Sequence, residues 1–129
     1  MKVLLSIKPE FAHEIFLGTK RYEYRKTIFR QKVKGVVVYA SSPVSKVIGE
    51  FEIDEILHDD IEILWETTKS FSGITRAFFF SYFKSRESGY AIKIKSYKSY
   101  DDPMELRSVY GSHPPQSFAY VDENKKRNG

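Results

Sequence analysis

The spacing of apolar positions changes several times along the chain, and each change marks an element. Lys2 to Ile7 is a short, mostly apolar run that predicts a first strand. Lys8-Pro9 then opens a helix, with Pro9 suited to its first position. Phe11, Ala12, Ile15 and Phe16 recur at helical spacing and form its inner face, with His13 and Glu14 opposite; Gly18 stops it. Thr19 to Lys26 reads as a strand, followed by a basic connection from Thr27 to Lys34. Val36 to Ala40 is a β-branched run without alternation, which predicts a strand covered on both faces. Ser41-Ser42-Pro43 is a turn. In the long strand from Val44 to Leu57, Phe51 and Ile53 alternate with Glu50, Glu52 and Asp54. Val47-Ile48 breaks that phase before Gly49 and predicts a bulge or bend.

The centre of the chain turns helical. Asp59 or Asp60 caps a helix running to about Lys69, with Ile61, Leu64, Trp65 and Thr68 inward. Ser72-Gly73 separates it from a second helix, from Ile74 or Thr75 to Lys84, whose Phe78, Phe79, Tyr82 and Phe83 are read as core. Tyr90 to Tyr100 is a strand with Tyr90, Ile92 and Ile94 inward, ended by Asp101-Asp102-Pro103. Leu106 to Tyr110 fits no clear pattern. Gly111 to Pro115 is a loop, and Gln116 to Val121 adds a last strand. Strands do not alternate with helices, which argues against a doubly wound parallel sheet. The expected fold is α+β: a small mixed β-barrel of five to six strands with an N-terminal helix and a central helical insertion. One domain spans 1–121, and 122–129 is expected to be a flexible basic tail.

Composition narrows this picture without redirecting it. The 129 residues suffice for one core, and 41% hydrophobic with 29% charged residues is ordinary for a globular chain. There is no cysteine, which removes disulfides, thiolate metal sites and a cysteine nucleophile. The three histidines are far apart and show no metal-ligand spacing, and no phosphate-binding glycine loop is present. No cofactor and no metal are expected. No apolar run reaches membrane-spanning length, and the first apolar segment is short for a signal peptide. A cytoplasmic monomer without membrane contact is the expectation. Net charge is +4, partly from Lys125-Lys126-Arg127, and permits an anionic partner.

The stretch from Gly18 to Lys26 concentrates the candidate chemistry. In a strand, Arg21, Glu23 and Arg25 share one face and Tyr22, Tyr24 and Lys26 the other. A carboxylate between two arginines suits a polar ligand; it equally suits a structural brace, with Glu23 held by Arg21 and Arg25.

Four segments in order resemble the ASCH domains of the PUA-like β-barrel group. They are Ser6-Ile7-Lys8-Pro9; Gly18-x-Lys20-x-x-Glu23-x-Arg25; Tyr39-Ala40-Ser41-Ser42-Pro43 leading to Ile48-Gly49-Glu50-Phe51; and Pro114-Pro115-Gln116-Ser117-Phe118. The likeness runs from Val3 to about Val121. It implies a cleft near Lys8, Lys20, Glu23 and Arg25, with Tyr39, Ser41 and Ser42 as a second wall and Gln116 and Ser117 contributing. Chemistry supports such a cleft: cations anchor phosphates, Glu23 accepts from an exocyclic amine, and Tyr22, Tyr24 or Tyr39 can stack on an unpaired base.

The resemblance implies RNA or a modified nucleoside or nucleotide as partner. The leading expectation is a nucleic-acid-binding module. The alternatives are a hydrolase, acting on acetylcytidine or on RNA, and a protein-interaction or transcription-coregulator domain. Small ASCH proteins that hydrolyse acetylcytidine use a lysine, a threonine and a glutamate. Lys20 matches the lysine, Glu23 stands at the threonine position, and 67–86 holds no Asp or Glu, with Glu66 and Glu87 only bordering it. If the chain is catalytic, Lys20 and Glu23 are the candidates, with His58 a further possible base.

Overall fold

The run Val36 to Ala40 is buried on both sides because it is the middle of the molecule. In the computed structural model, which describes residues 1–122, it belongs to a strand with all six residues buried. The elements follow the chain as β1 (Lys2–Ile7), α1 (Pro9–Leu17), β2 (Tyr22–Arg25), β3 (Gly35–Ala40), β4 (Lys46–Asp60), α2 (Ile61–Thr68), α3 (Arg76–Tyr82), β5 (Ser88–Met104) and β6 (Phe118–Val121). Short 3₁₀ turns lie at Lys69–Phe71 and Leu106–Ser108. The strands form one mixed sheet in the order β2-β5-β4-β3-β1-β6, with β1 parallel to β3 and the other pairs antiparallel.

Alternation along β1 and β3 separates two clusters. Val3, Leu5, Ile7, Val36 and Val38 join Ala12 and Ile15 of α1, Phe51 and Ile92 in the main core. The intervening Leu4, Val37 and Tyr39 meet Val47, Leu106 and Val121 on the other side. A third cluster sets Tyr24 and Ala91 against Ile61, Leu64, Trp65, Phe79 and Phe83, so the helical insertion packs over the β2–β5 edge.

The α+β architecture follows the hydrophobic pattern, and several local expectations hold. Gly18 caps α1 at φ 85°, Asp60 accepts from the amide of Glu62, and the β3–β4 and β4–β5 registers slip around Ile48. Other details differ. The sheet is not closed: β2 and β6 are its two edges, with no ladder between them among the described residues. The edges meet through side chains instead. Arg25 Nη2 donates to the Ser117 carbonyl at 2.7 Å, and Phe29 packs on Phe118. The strand expected from Thr19 begins only at Tyr22, because the amides of Thr19 and Lys20 are spent on the Glu14 carbonyl closing α1. Pro103 does not end β5, which continues to Met104; residues 100–103 fall where the register jumps from Gly49–Ser99 to Val47–Met104, so no ladder amide is demanded of the proline. The β4–β5 register also shifts on either side of Ile53, an irregularity the simple alternation expected there did not include. Most of the expected basic tail, 123–129, lies outside the described residues. Among the described residues, no helix is long and apolar enough to cross a membrane.

Candidate nucleotide pocket

Lys20 leaves the capped end of α1 and, instead of reaching solvent, runs inward to 2% exposure. Its stem lies against Gly73, and its Nζ donates to the Ser72 carbonyl at 2.7 Å. The ammonium sits 4.8 Å from the Tyr24 ring centroid and 5.5 Å from that of Phe11, a partial replacement for lost water. Burial nonetheless pushes its pKa down to about 8, against the opposing pull of Glu23 and Glu14.

Glu23 points from β2 into the same cavity and is also buried. Its Oε2 accepts from Arg25 Nη1 at 3.2 Å, two residues along the strand and so on the same face. Oε1 makes no hydrogen bond among the described residues, and Lys20 and Glu23 form no direct ion pair. The pocket therefore presents an ammonium with donors to spare and a carboxylate oxygen to spare, at separate points. Its volume is about 220 Å³, and Phe11, Tyr24, Phe78 and Tyr82 give it aromatic walls beside Ile7 and Ile74. Tyr24 is held by a 2.7 Å bond from its Oη to Thr68 Oγ1, and burial raises its pKa and that of Tyr82.

The mouth is different in character. Ser6, Lys8, Arg25 and Tyr82 are shared with a vestibule of about 460 Å³, which adds Lys26, Thr27, Arg86, Ser41, Gln116 and Ser117 and has no carboxylate in its wall among the described residues. Lys8, Lys26 and Arg86 make no ion pair among the described residues. Lys8 and Lys26 rest instead over Phe78 and Tyr82, at 5.3 and 4.8 Å. Unpaired cations around a polar hollow are suited to phosphate.

The structure thus brings together Lys8, Lys20, Glu23, Arg25, Ser41, Gln116 and Ser117. It does not bring in Tyr39, which strand parity turns into the cluster with Leu4 and Val47, nor Tyr22 and Ser42, which line neither cavity. Arg21 stands outside as well, over the Phe71 ring, so among the described residues the brace on Glu23 is Arg25 alone. Phe78 and Tyr82, expected in the core with Phe79 and Phe83, line the pocket instead. The four residues are two adjacent i,i+4 stripes on α3 and its end, and only Phe79 and Phe83 turn inward. Ser6 and Phe11 were visible in the sequence as strand end and helix face, with no signal that their atoms meet a cavity.

Among the described residues no threonine lines the pocket, and Glu23 is its one carboxylate. Thr19 is tied to Glu14, Glu66 to Lys69 at the surface, and His58 stacks on Tyr90 outside the pocket. Among the described residues, no group of three or more His, Asp or Glu is placed to hold a metal ion.

Gly73 decides whether Lys20 can occupy this position. It has φ 68°, and a Cβ there would stand 2.4 Å from Lys20 Cβ, the stiff end of that side chain. Gly73→Ala is expected to destabilise the protein by about 2 kcal/mol in chemical denaturation, from left-handed strain plus overpacking. An unchanged unfolding midpoint would show that the Lys20 stem moves aside freely.

The chain as a whole resembles proteins already known. The family model described as ASCH domain matches residues 5–115. An ASCH domain-containing ribonuclease from Zymomonas mobilis is 26% identical over 126 residues, covering 93% of this chain and 84% of that protein. The ATP synthase subunit alpha of Ureaplasma parvum serovar 3 is 29% identical over 120 residues, 92% of this chain, but the chain spans only 15% of that protein's length. The crystal structure of ASCH from Zymomonas mobilis superposes with a TM-score of 0.89 at 24% identity, covering 98% of this chain and 91% of that one.

Proposed function

The chain belongs to the ASCH domain family, and on that premise we propose that it binds single-stranded RNA by taking one unpaired base, plain or modified, into the Lys20–Glu23 pocket. One observation carries this reading: a buried cation and a buried carboxylate, each with unused hydrogen-bonding capacity, in an aromatic-walled cavity that opens on unpaired cations. A base is flat, apolar on its faces and polar at its edge, and needs such a cavity. Glu23 Oε1 would accept from an exocyclic amine, Lys20 would donate to a carbonyl or ring nitrogen, and Lys8 with its neighbours would hold the phosphate. The ribonuclease name of the Zymomonas relative supports RNA as the polymer.

The test is fluorescence anisotropy with a labelled single-stranded oligoribonucleotide. Glu23→Gln and Lys8→Ala are each expected to weaken binding at least roughly tenfold with the circular dichroism spectrum intact, one bidentate or charge-assisted contact being worth about that much. With three unpaired cations neutralising phosphates, log K should fall against log salt with a slope of about −2. Salt-independent binding, or full affinity in both variants, would overturn the reading.

A second reading, hydrolysis, is favoured by the lowered pKa of Lys20, which leaves a fraction neutral near pH 8 and able to take a proton. The acetylcytidine-cleaving set is not assembled here, so RNA is the better substrate. RNA cleavage by the wild type that rises towards pH 8 and is absent in Lys20→Met would establish this; intact RNA after prolonged incubation would leave binding alone.

A further inference from the structure

We infer that a groove beyond the vestibule is a second nucleotide subsite, so that the protein holds at least two successive nucleotides of one RNA strand. This rests on the base-pocket reading above. The groove is about 480 Å³ and is lined by Thr27, Ser85, Glu87, Ser88 and Tyr90, together with Lys26 and Arg86. Lys26, Thr27 and Arg86 are also vestibule walls, whereas none of the groove residues lines the inner pocket. Shared walls therefore order the three hollows in a row: base pocket, cationic vestibule, groove. A nucleic-acid strand has the same order of parts, base then linking phosphate then the next nucleotide.

The chemistry of each hollow matches the part it would meet. Lys26 and Arg86, both exposed and free of ion pairs among the described residues, bracket the junction where the linking phosphate would pass. The hydroxyls of Thr27, Ser85 and Ser88 lie where a ribose would come next, and can exchange hydrogen bonds with its 2′-hydroxyl. Tyr90 gives the groove an aromatic surface. His58 lies flat against that ring, 4.1 Å between centroids and 10° between planes, and is itself tied to Ser88 at 3.2 Å. His58 thereby holds the Tyr90 ring in place, and Tyr90 is the groove's stacking surface. Ser85 holds φ 71° without being glycine, a strained turn that carries the Arg86 side of the groove. Glu87, the one carboxylate in the wall, disfavours a second phosphate there and makes the groove suited to the sugar and base of the neighbour.

The experiment is calorimetric titration of the full chain with the four ribonucleoside 5′-monophosphates and the four homotrinucleotides. Wild type is expected to bind its preferred trinucleotide at least about tenfold more tightly than the matching monophosphate, one base stack being worth that factor. Tyr90→Leu and Ser88→Glu line only the groove. Each should remove that advantage and leave the monophosphate affinity unchanged; Ser88 is exposed at the strand start, so its variant serves if Tyr90→Leu fails to fold. A trinucleotide that binds no more tightly than the monophosphate, or variants that keep the advantage, would overturn the subsite and leave the base pocket standing. No binding of any of the eight ligands by wild type would overturn the pocket reading and the subsite with it.

Discussion

Arg25→Ala is expected to cost the fold about 3 kcal/mol or more. Arg25 and Glu23 are both mostly buried, at 14% and 8% side-chain exposure, and among the described residues their ion pair is the only brace on the Glu23 carboxylate. Removing the guanidinium strands a buried charge, the circumstance in which breaking a pair is most damaging. The same side chain ties β2 to the Ser117 carbonyl, and so joins the two edges of a sheet that has no ladder to close it. Lysine cannot reproduce both bonds, since it lacks the planar fork, so Arg25→Lys should fall between wild type and alanine. The measurement is urea unfolding of the two variants together with Glu23→Gln and the Arg25→Ala/Glu23→Gln double variant. Part of the loss should return in the double variant, because the stranded charge has gone. A loss below about 1 kcal/mol in Arg25→Ala would place the pair among solvated surface contacts.

The second large effect is a pH dependence of stability that belongs to Lys20. Its folded pKa of about 8 lies below the unfolded value of 10.5. Below pH 8 both states carry the proton, and the folded state bears the full cost of a buried ammonium, about 3 kcal/mol. Between the two values the unfolded chain binds more protons than the folded one, so stability rises with pH. From pH 7.5 to 9.5 the gain from this residue alone should be about 2 kcal/mol. Tyr24 and Tyr82 act in the opposite sense, because burial raises their folded pKa values; their effect begins only as unfolded tyrosine ionises near pH 10 and stays outside the window. Urea unfolding at intervals across the window is expected to show the rise in wild type and a flat profile in Lys20→Met. Parallel profiles would mean that Lys20 is solvated in the folded state. If the ammonium contacts ligand, affinity falls over the same window in which stability rises, a combination that general alkaline loosening would not produce.

Lys20 also shows where reading the chain succeeds and where it stops. Arg25 and Glu23 are two apart in a strand, so their shared face is a local property and was legible. Among the described residues the brace formed with Arg25 alone, because the Arg21 amide is bonded to the Phe71 carbonyl and its guanidinium lies over the Phe71 ring. Lys20 entered the cleft through the family resemblance and not through its own neighbours in the chain. It is buried by Ser72, Gly73 and Phe78, more than fifty residues on, and no pattern around Lys20 reports that approach. The same holds for Tyr24, whose hydroxyl finds Thr68, and for Tyr39, whose parity in β3 sends it away from the cleft.

By itself, the sequence determined the elements. Helical spacing with Pro9 and Gly18 made α1, the caps at Asp60 and Thr75 started α2 and α3, and the β-branched run at Val36 made the central strand. These depend on backbone sterics and on side-chain period, which act within a few residues. Only the tertiary structure decided that the insertion α2–α3 folds back over the β2–β5 edge. That step buries Lys20 and Glu23, turns Phe78 and Tyr82 towards a cavity, and lines up the cations at its mouth. Its physical origin is long-range burial. Trp65, Phe79 and Phe83 had to leave water against Tyr24 and Ala91, and the pocket is the space that packing left beside them.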